Sequence, residues 1–245
     1  MFSLFNKKKS HNIDFSIIGT DMHSHLLPGI DDGSPDTEIS TRLIKGLMDL
    51  GYKKFITTPH VMQDLYLNSP ATIHSAHDFL KESLQTFSVD IRPAAEYFMD
   101  NYFDQLLEKN EPLLTLKDNL VLVEFSFVNP PINVQETLFQ MQIKGYQPVL
   151  AHPERYTYLL RNKAFYDTLK NAGCLFQLNL LSLTNYYGKE AADLASYLIN
   201  KDYINIVGTD LHHERHLEAL RNYPSAAFTT IQRMADRGKI MNASW

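Results

Sequence analysis

The sequence predicts an α/β protein, a parallel barrel built from βα repeats, in a single domain spanning residues 1–245. Three observations point there. Short apolar, β-rich runs alternate with amphipathic stretches of helical length along the chain. Several of the runs are almost unbroken, Leu120-Val121-Leu122-Val123 being the clearest, as expected of strands covered on both faces. Six of the seven runs end on an imidazole or a carboxylate, and in parallel barrels that end carries the active site.

The first strand is expected over Ile17–Met22. Its helix runs over Pro35–Leu50, opened by Ser34 as N-cap and stopped at Gly51. The second strand, Lys54–Thr58, leads to a helix that starts at Ser69-Pro70 and continues through Phe87. Strands over Asp90–Ala95 and Leu120–Phe125 follow, then a helix over Asn133–Lys144 ending at Gly145. Gln147–Ala151 precedes a helix at Lys163–Ala172, and Cys174–Leu180 precedes one at Gly188–Lys201. The last strand, Ile204–Thr209, is followed by helices near Glu214–Asn222 and Pro224–Arg237. Residues 1–14, with Lys7-Lys8-Lys9, read as a flexible tail. A doubly wound open sheet is the alternative, but the glycine-rich turn usual after its first strand is missing.

Composition removes several function classes. A net charge of −5 argues against a general nucleic-acid binder, which needs an excess of lysine and arginine. The single cysteine, Cys174, allows no internal disulfide and no thiolate zinc site. It also cannot head the Cys-x5-Arg loop of cysteine-dependent phosphatases, because Leu180 stands six positions on. No run approaches the roughly 18 apolar residues of a membrane span. The residues after Lys7–Lys9 do not make a signal peptide either, so a cytoplasmic location is expected.

The strand ends carry the chemistry. They read Asp21-Met22-His23-Ser24-His25, Thr58-Pro59-His60, Ala95-Glu96, Val123-Glu124-Phe125, Ala151-His152-Pro153-Glu154-Arg155 and Gly208-Thr209-Asp210-Leu211-His212. The sixth offers only Asn179. His23 and His25 lie two apart, so on a strand they face one side. Asp32, in the loop Gly29-Ile30-Asp31-Asp32-Gly33, is near enough to join them. Imidazole and carboxylate without thiolate suit manganese, iron, zinc or cobalt, and so many donors exceed what one ion takes. Two or three divalent ions are therefore expected. Taken singly, each residue has an ordinary reading: a strand-end histidine is usually structural, and a carboxylate there is often a helix cap. Convergence of six strand ends outweighs those readings.

Other polar residues are set aside. His74 and His77, with Asp78 and Lys81 nearby, read as a solvated helix face, and His11 lies in the tail. Asp21, Asp31 and Glu154 are read as partners behind the ligands or as caps. His213, Arg215 and His216 are placed at the pocket rim. Tyr156, Tyr158, Tyr186 and Tyr187 are read as pocket walls or modification sites.

In this order, the motifs at 21–33, Thr57-Thr58-Pro59-His60, Val123-Glu124-Phe125-Ser126, Ala151–Tyr156 and Gly208–His212 resemble the polymerase and histidinol phosphatase (PHP) superfamily. More narrowly, the chain is similar to bacterial manganese-dependent tyrosine-protein phosphatases of the CpsB/CapC type. The resemblance implies a distorted seven-stranded (β/α)7 barrel with a trinuclear centre. It places metal ligands at His23, His25, Asp32, His60, Glu96, Glu124, His152, Asp210 and His212. Arg155 matches a phosphoryl-binding arginine; Arg155 and Asp32 are the expected catalytic residues, with Asn179 and Arg215 as further substrate contacts. The implied cofactor is Mn2+, with Fe, Zn, Co or Mg as substitutes. The implied partner is a phosphotyrosine protein, a tyrosine autokinase of capsule or exopolysaccharide synthesis.

The expected reaction is in-line attack on phosphorus by a hydroxide bridging two ions, because bound metals bring the pKa of water down to about 7. A phenolate leaving group, with a conjugate-acid pKa near 10, needs less proton assistance than an alkoxide. The alternatives are a PHP phosphatase of a small phosphomonoester such as histidinol phosphate, an amidohydrolase-like deacylase, and a catalytically silent binding module. The deacylase lacks a strand-end lysine to carbamylate.

Overall fold

Two of the seven expected strands are each broken in two, and the second halves begin with His60 and Glu96. The protein is described by a computed structural model covering residues 13–85 and 88–245. The second tract divides into β2 (Lys54–Thr57) and β3 (His60–Val61) around Thr58-Pro59, and the third into β4 (Asp90–Pro93) and β5 (Glu96–Phe98) around Ala94-Ala95. With β1 (Thr20–Asp21), β2 and β4 form a small parallel sheet in the order β1-β2-β4. With β6 (Leu120–Glu124), β7 (Gln147–Ala151), β8 (Leu175–Asn179) and β9 (Ile204–Gly208), the other halves form a parallel sheet in the order β3-β5-β6-β7-β8-β9. Proline has no N–H to give the ladder, so a break at Pro59 is the cheap place to bend. Across it, Ala94 N–H still donates to Thr57 O (2.8 Å) and Glu96 N–H to Pro59 O (3.1 Å).

The first and last tracts meet at a seam that joins the two parallel sheets. Ser24, beyond β1, pairs with Leu211, beyond β9. There Asp210 N–H donates to His23 O (2.7 Å) and His25 N–H to Leu211 O (2.9 Å). Below that pairing, the buried Asp21 carboxylate accepts from the N–H (2.9 Å) and hydroxyl (2.7 Å) of Thr209. Burial still pushes the Asp21 carboxyl up to about 6, because those two hydrogen bonds only partly replace lost hydration. At the opposite end Asn242 donates to Thr20 O (3.0 Å) and Val207 O (2.7 Å) and accepts from Val207 N–H (3.0 Å).

The helices are α1 (Thr37–Asp49), α2 (Pro70–Ser83), α3 (Asn101–Glu108), α4 (Val134–Ile143), α5 (Ala164–Asn171), α6 (Lys189–Asn200), α7 (Glu214–Arg221) and α8 (Ser225–Asp236). Strand alternation sorts the core. Val121 and Val123 pack outward under the helices, whereas Leu120 and Leu122 join Met22, Ile56, Ala94, Val149, Ala151 and Ile206 in a second cluster. Trp245 packs against that second cluster. On β6 the row of Leu120 and Leu122 leads to Glu124, the last residue of the strand. No described helix is long and apolar enough to cross a membrane.

Several sequence expectations need correction. The first strand is only Thr20–Asp21, since Phe15–Ile17 forms a 3-10 turn that seats Phe15 in the core. α3 was not expected, although Tyr102, Phe103, Leu106 and Leu107 recur at helical spacing; at eight residues it is short enough to pass for a loop. His77 is buried with Nε2 against Ile91 O (3.0 Å), not solvated; the exposed neighbour is His74. The expected end of the second helix at Phe87, together with His11 and Lys7–Lys9, lies outside the described residues.

The glycine of the Asp31-Asp32-Gly33 turn has a packing cause. A Cβ on Gly33 would lie 2.3 Å from the His25 carbonyl oxygen and 2.5 Å from the His25 Cβ. Backbone cannot yield as a flexible side chain does. Gly33→Ala should therefore lower the unfolding free energy by about 1–3 kcal/mol, read from urea denaturation midpoints at unchanged m-value.

Candidate metal centre

The structure brings all nine expected ligand side chains together at the strand ends. Among the described residues, every group of three or more closely spaced histidine, cysteine or carboxylate donors is drawn from these nine. Four groups overlap: His25, Asp32, His60 and His212; His23, Glu96 and His152; His23, His25 and Asp210; His60, Glu96 and Glu124. Within each, the donor atoms lie within 4.8 Å of one another.

Glu96 stands at the middle. Register explains why: His60 and Glu96 are direct partners on β3 and β5, in the same register that pairs β2 with β4, so the alignment carries through both breaks. Glu96 Oε2 lies 3.2 Å from His23 Nε2, 3.4 Å from His25 Nε2 and 3.3 Å from His60 Nδ1, while Oε1 lies 3.1 Å from His152 Nε2. Asp210 Oδ1 is 3.4 Å from the Nε2 of both His23 and His25. Glu124 Oε1 is 2.9 Å from His60 Nδ1. Asp32, its side chain 52% exposed, stands at the mouth, 3.4 Å from His60 Nε2 and 3.6 Å from His212 Nε2.

Backbone devices aim two of these groups. His152 (φ 32°) and Asp210 (φ 51°) both adopt the left-handed region, which costs a non-glycine residue about 1–2 kcal/mol. Each follows a strand closely and turns its side chain back over the barrel mouth. Partners behind the ligands fix the rings. Gln177 Oε1 meets His23 Nδ1 (2.8 Å), Asp31 Oδ2 meets His25 Nδ1 (2.8 Å), and the Asp210 carbonyl meets His212 Nδ1 (2.9 Å). An acceptor at Nδ1 fixes the proton there and leaves Nε2 as the electron-pair donor facing the site.

The donor set fits divalent cations. Both oxygens of Glu96, Glu124 Oε1, His60 Nδ1 and His152 Nδ1 are buried without a hydrogen-bond partner. Carboxylate oxygens left so are costly unless a positive charge compensates them. Protons on the imidazoles supply that charge when no metal does. Burial opposes charging His23, yet the neighbouring Glu96 and Asp210 outweigh it and raise its pKa. Burial likewise resists ionising Glu96 and Asp210, but the surrounding imidazoles hold both carboxyls well below the usual range.

A cavity of about 230 Å³ opens over the cluster, lined by Asp32, His60, Glu124, His152, Asp210 and His212, and by Phe127, Arg155, Tyr187, His213 and His216. Arg155, 22% exposed, donates from Nη1 to Asp210 Oδ2 (2.7 Å). Asn179 lies beneath the wall: its amide donates to Asp210 Oδ2 (2.9 Å) and Tyr187 Oη (3.2 Å), and its oxygen accepts from Leu181 N–H. Both amide protons are thus committed inside the protein. Arg215 is exposed on α7 and is not among the cavity-lining residues. Tyr156 is core, donating to Ala151 O (3.0 Å). Cys174 is buried away from the cavity, and burial pushes its thiol up to about 12.

Gln177 and Phe127 were not singled out in the sequence. Gln177 was visible in principle, as a polar residue two before Asn179, on the same strand face, inside Leu175-Phe176-Gln177-Leu178. Phe127 offers no such signal.

With this geometry in hand, comparison with known proteins is decisive. The family described as Capsular polysaccharide synthesis, CpsB/CapC, matches residues 19–234. The chain belongs to this family. Among CpsB/CapC relatives, it is 31% identical over 196 residues to the tyrosine-protein phosphatase YwqE of Bacillus subtilis (strain 168), covering 79% of this chain and 77% of that one. It is 28% identical over 221 residues to the tyrosine-protein phosphatase CpsB of Streptococcus pneumoniae, covering 86% and 88%. Crystal structures of YwqE and of that CpsB, described as unique metal-dependent tyrosine phosphatases, include a chain that matches with a TM-score of 0.74 at 27% identity. The match covers 89% of this chain and 94% of that one. An amidohydrolase from Mycoplasma synoviae, at 13% identity and a TM-score of 0.51, shares the fold alone.

Gln177 offers a test of the ligand assignment from behind. Its carbonyl accepts from His152 N–H (3.2 Å) as well as meeting His23 Nδ1, so it orients two expected ligands at once. Gln177→Leu should weaken metal affinity about 10–100-fold, measured by competition with a chromophoric chelator, with the fold intact by circular dichroism.

Proposed function

We propose that this chain is a metal-dependent protein-tyrosine phosphatase, with His23, His25, Asp32, His60, Glu96, Glu124, His152, Asp210 and His212 as its ligands. The observation that carries the reading is the buried, cation-demanding donor set lying beside one arginine in a cavity open to solvent. The CpsB/CapC family supplies the setting, capsular polysaccharide synthesis. The natural substrate is then a phosphotyrosine protein of that machinery, a bacterial tyrosine autokinase acting in the same cytoplasm. Mn2+ is the favoured cofactor, consistent with a nitrogen and oxygen donor set free of thiolate.

Bound divalent ions would supply Lewis acidity, both activating water at neutral pH and offsetting phosphoryl charge. The chain's own residues do the rest. Arg155 lines the cavity with N–H groups beyond the one given to Asp210, and these take the non-bridging phosphoryl oxygens. Asp210 holds Arg155 in place from below. Asp32, exposed at the mouth between two imidazoles, completes the site on the solvent side. His213 and His216 line the same cavity. About 230 Å³ is smaller than the roughly 300–1,000 Å³ pockets that enclose drug-sized ligands, which suits a single phosphorylated side chain presented by a larger body.

Phosphate release from a phosphotyrosine peptide should require added metal and stop on chelation. It should exceed release from histidinol phosphate under matched Mn2+. His23→Ala and Asp210→Ala should each lower kcat/KM by on the order of 10²-fold or more while the chain stays folded, since each removes a donor shared by the cluster. Full activity in either variant would discard the site. Preference for histidinol phosphate would discard the tyrosine assignment while leaving the metal chemistry standing.

A further inference from the structure

Arg155 is held on three sides. Its guanidinium lies 4.6 Å from the ring centroid of Phe127 and 4.2 Å from that of Tyr187. Nη1 is fixed by Asp210 Oδ2. The two rings come from different strand ends: Phe127 follows β6, Tyr187 follows β8, and Arg155 follows β7 between them. Each ring has a second contact, although Phe127 is 47% exposed. Phe127 stacks on His152 (5.6 Å, 27° between planes). The Tyr187 hydroxyl accepts from Asn179, whose other amide contact is the same Asp210 oxygen that holds Arg155.

We propose that Phe127 and Tyr187 form an aromatic clamp whose task is to position Arg155 for the phosphoryl group. An arginine lying against ring faces gains cation–π attraction and loses little of its edge-on hydrogen bonding, because its N–H groups lie in the guanidinium plane. With the rings against it and one corner tied to Asp210, the remaining edge N–H groups are left for a ligand in the cavity. The fork is pre-organised, so binding phosphate does not have to freeze a flexible side chain. Clamp and Asp210 also stop the guanidinium from leaving for solvent when the cavity empties. The inference rests on the reading of Arg155 as the phosphoryl-binding residue. It adds Phe127 and Tyr187 as positioning residues.

Inorganic phosphate binding to full-length protein purified without chelator, followed by titration calorimetry, tests the clamp without relying on turnover. Phe127→Leu and Tyr187→Leu should each weaken phosphate binding about 3–10-fold, at unchanged metal content and melting temperature. KM for a phosphotyrosine peptide should rise in step, with kcat moved less. Phe127→Tyr and Tyr187→Phe keep the rings and should stay within about twofold of the parent, the second also showing that the Asn179 hydrogen bond is dispensable. In an Arg155→Ala background the leucine variants should change phosphate affinity by less than about twofold, as expected of residues acting through that arginine. Unchanged affinity in both leucine variants, with Arg155→Ala weakened, overturns the clamp and leaves Arg155 as the phosphate ligand. Equal losses with and without Arg155 overturn it too. If Arg155→Ala itself binds phosphate normally, the arginine assignment fails and the clamp falls with it.

Discussion

A carboxylate taken out of water without hydrogen bonds is among the costliest groups a protein can bury, and Glu96 is such a carboxylate. Four imidazoles surround it, none donating a well-formed hydrogen bond to it. Cationic charge is what makes the arrangement tolerable, whether carried by metal ions or by protons on the rings. The rest of the mouth is built to keep that crowd in place. Asp31, Gln177 and the Asp210 carbonyl each hold one ring from behind, and Arg155 balances Asp210 from the solvent side.

The barrel is bent to serve this centre. Both tracts break at one level, at Pro59 and at Ala94-Ala95, and keep their register across the break, so His60 stands opposite Glu96. Left-handed turns at His152 and Asp210 do the same for the fifth and seventh tracts. Such strain persists only where surrounding structure over-determines it. Here the seam between first and last tracts does so, with Thr209 bound to Asp21 on one side of Asp210 and the Ser24–Leu211 pairing on the other.

Much of this was legible in the linear sequence, because parallel barrels put strand C-termini on one rim and the ligand-type residues stand at strand C-termini. His23, His25, His152 and Asp210 could be read that way, each being a polar residue where an apolar run stops. The breaks could not. Lys54–Thr57 and His60–Val61 look like one strand interrupted by a proline, and only pairing with β5 shows that the interruption changes the sheet. Gln177 hid inside a hydrophobic strand because a single amide does not disturb the pattern. Phe127 hid for the opposite reason, since an aromatic residue in an apolar segment reads as core until its loop places it beside Arg155. His77 went the other way: the charged neighbours Asp78 and Lys81 suggested a wet face, while helical periodicity puts His77 with Ile73 and Leu80 against β4.

Anomalous scattering at the manganese edge, from crystals of protein loaded with Mn2+, addresses the account most directly. Two or three peaks should lie within coordination distance of Glu96, His23, His60 and Asp210, sharing the nine side chains among them. Peaks confined to surface carboxylates, with the Glu96 cluster empty at full loading, would contradict it.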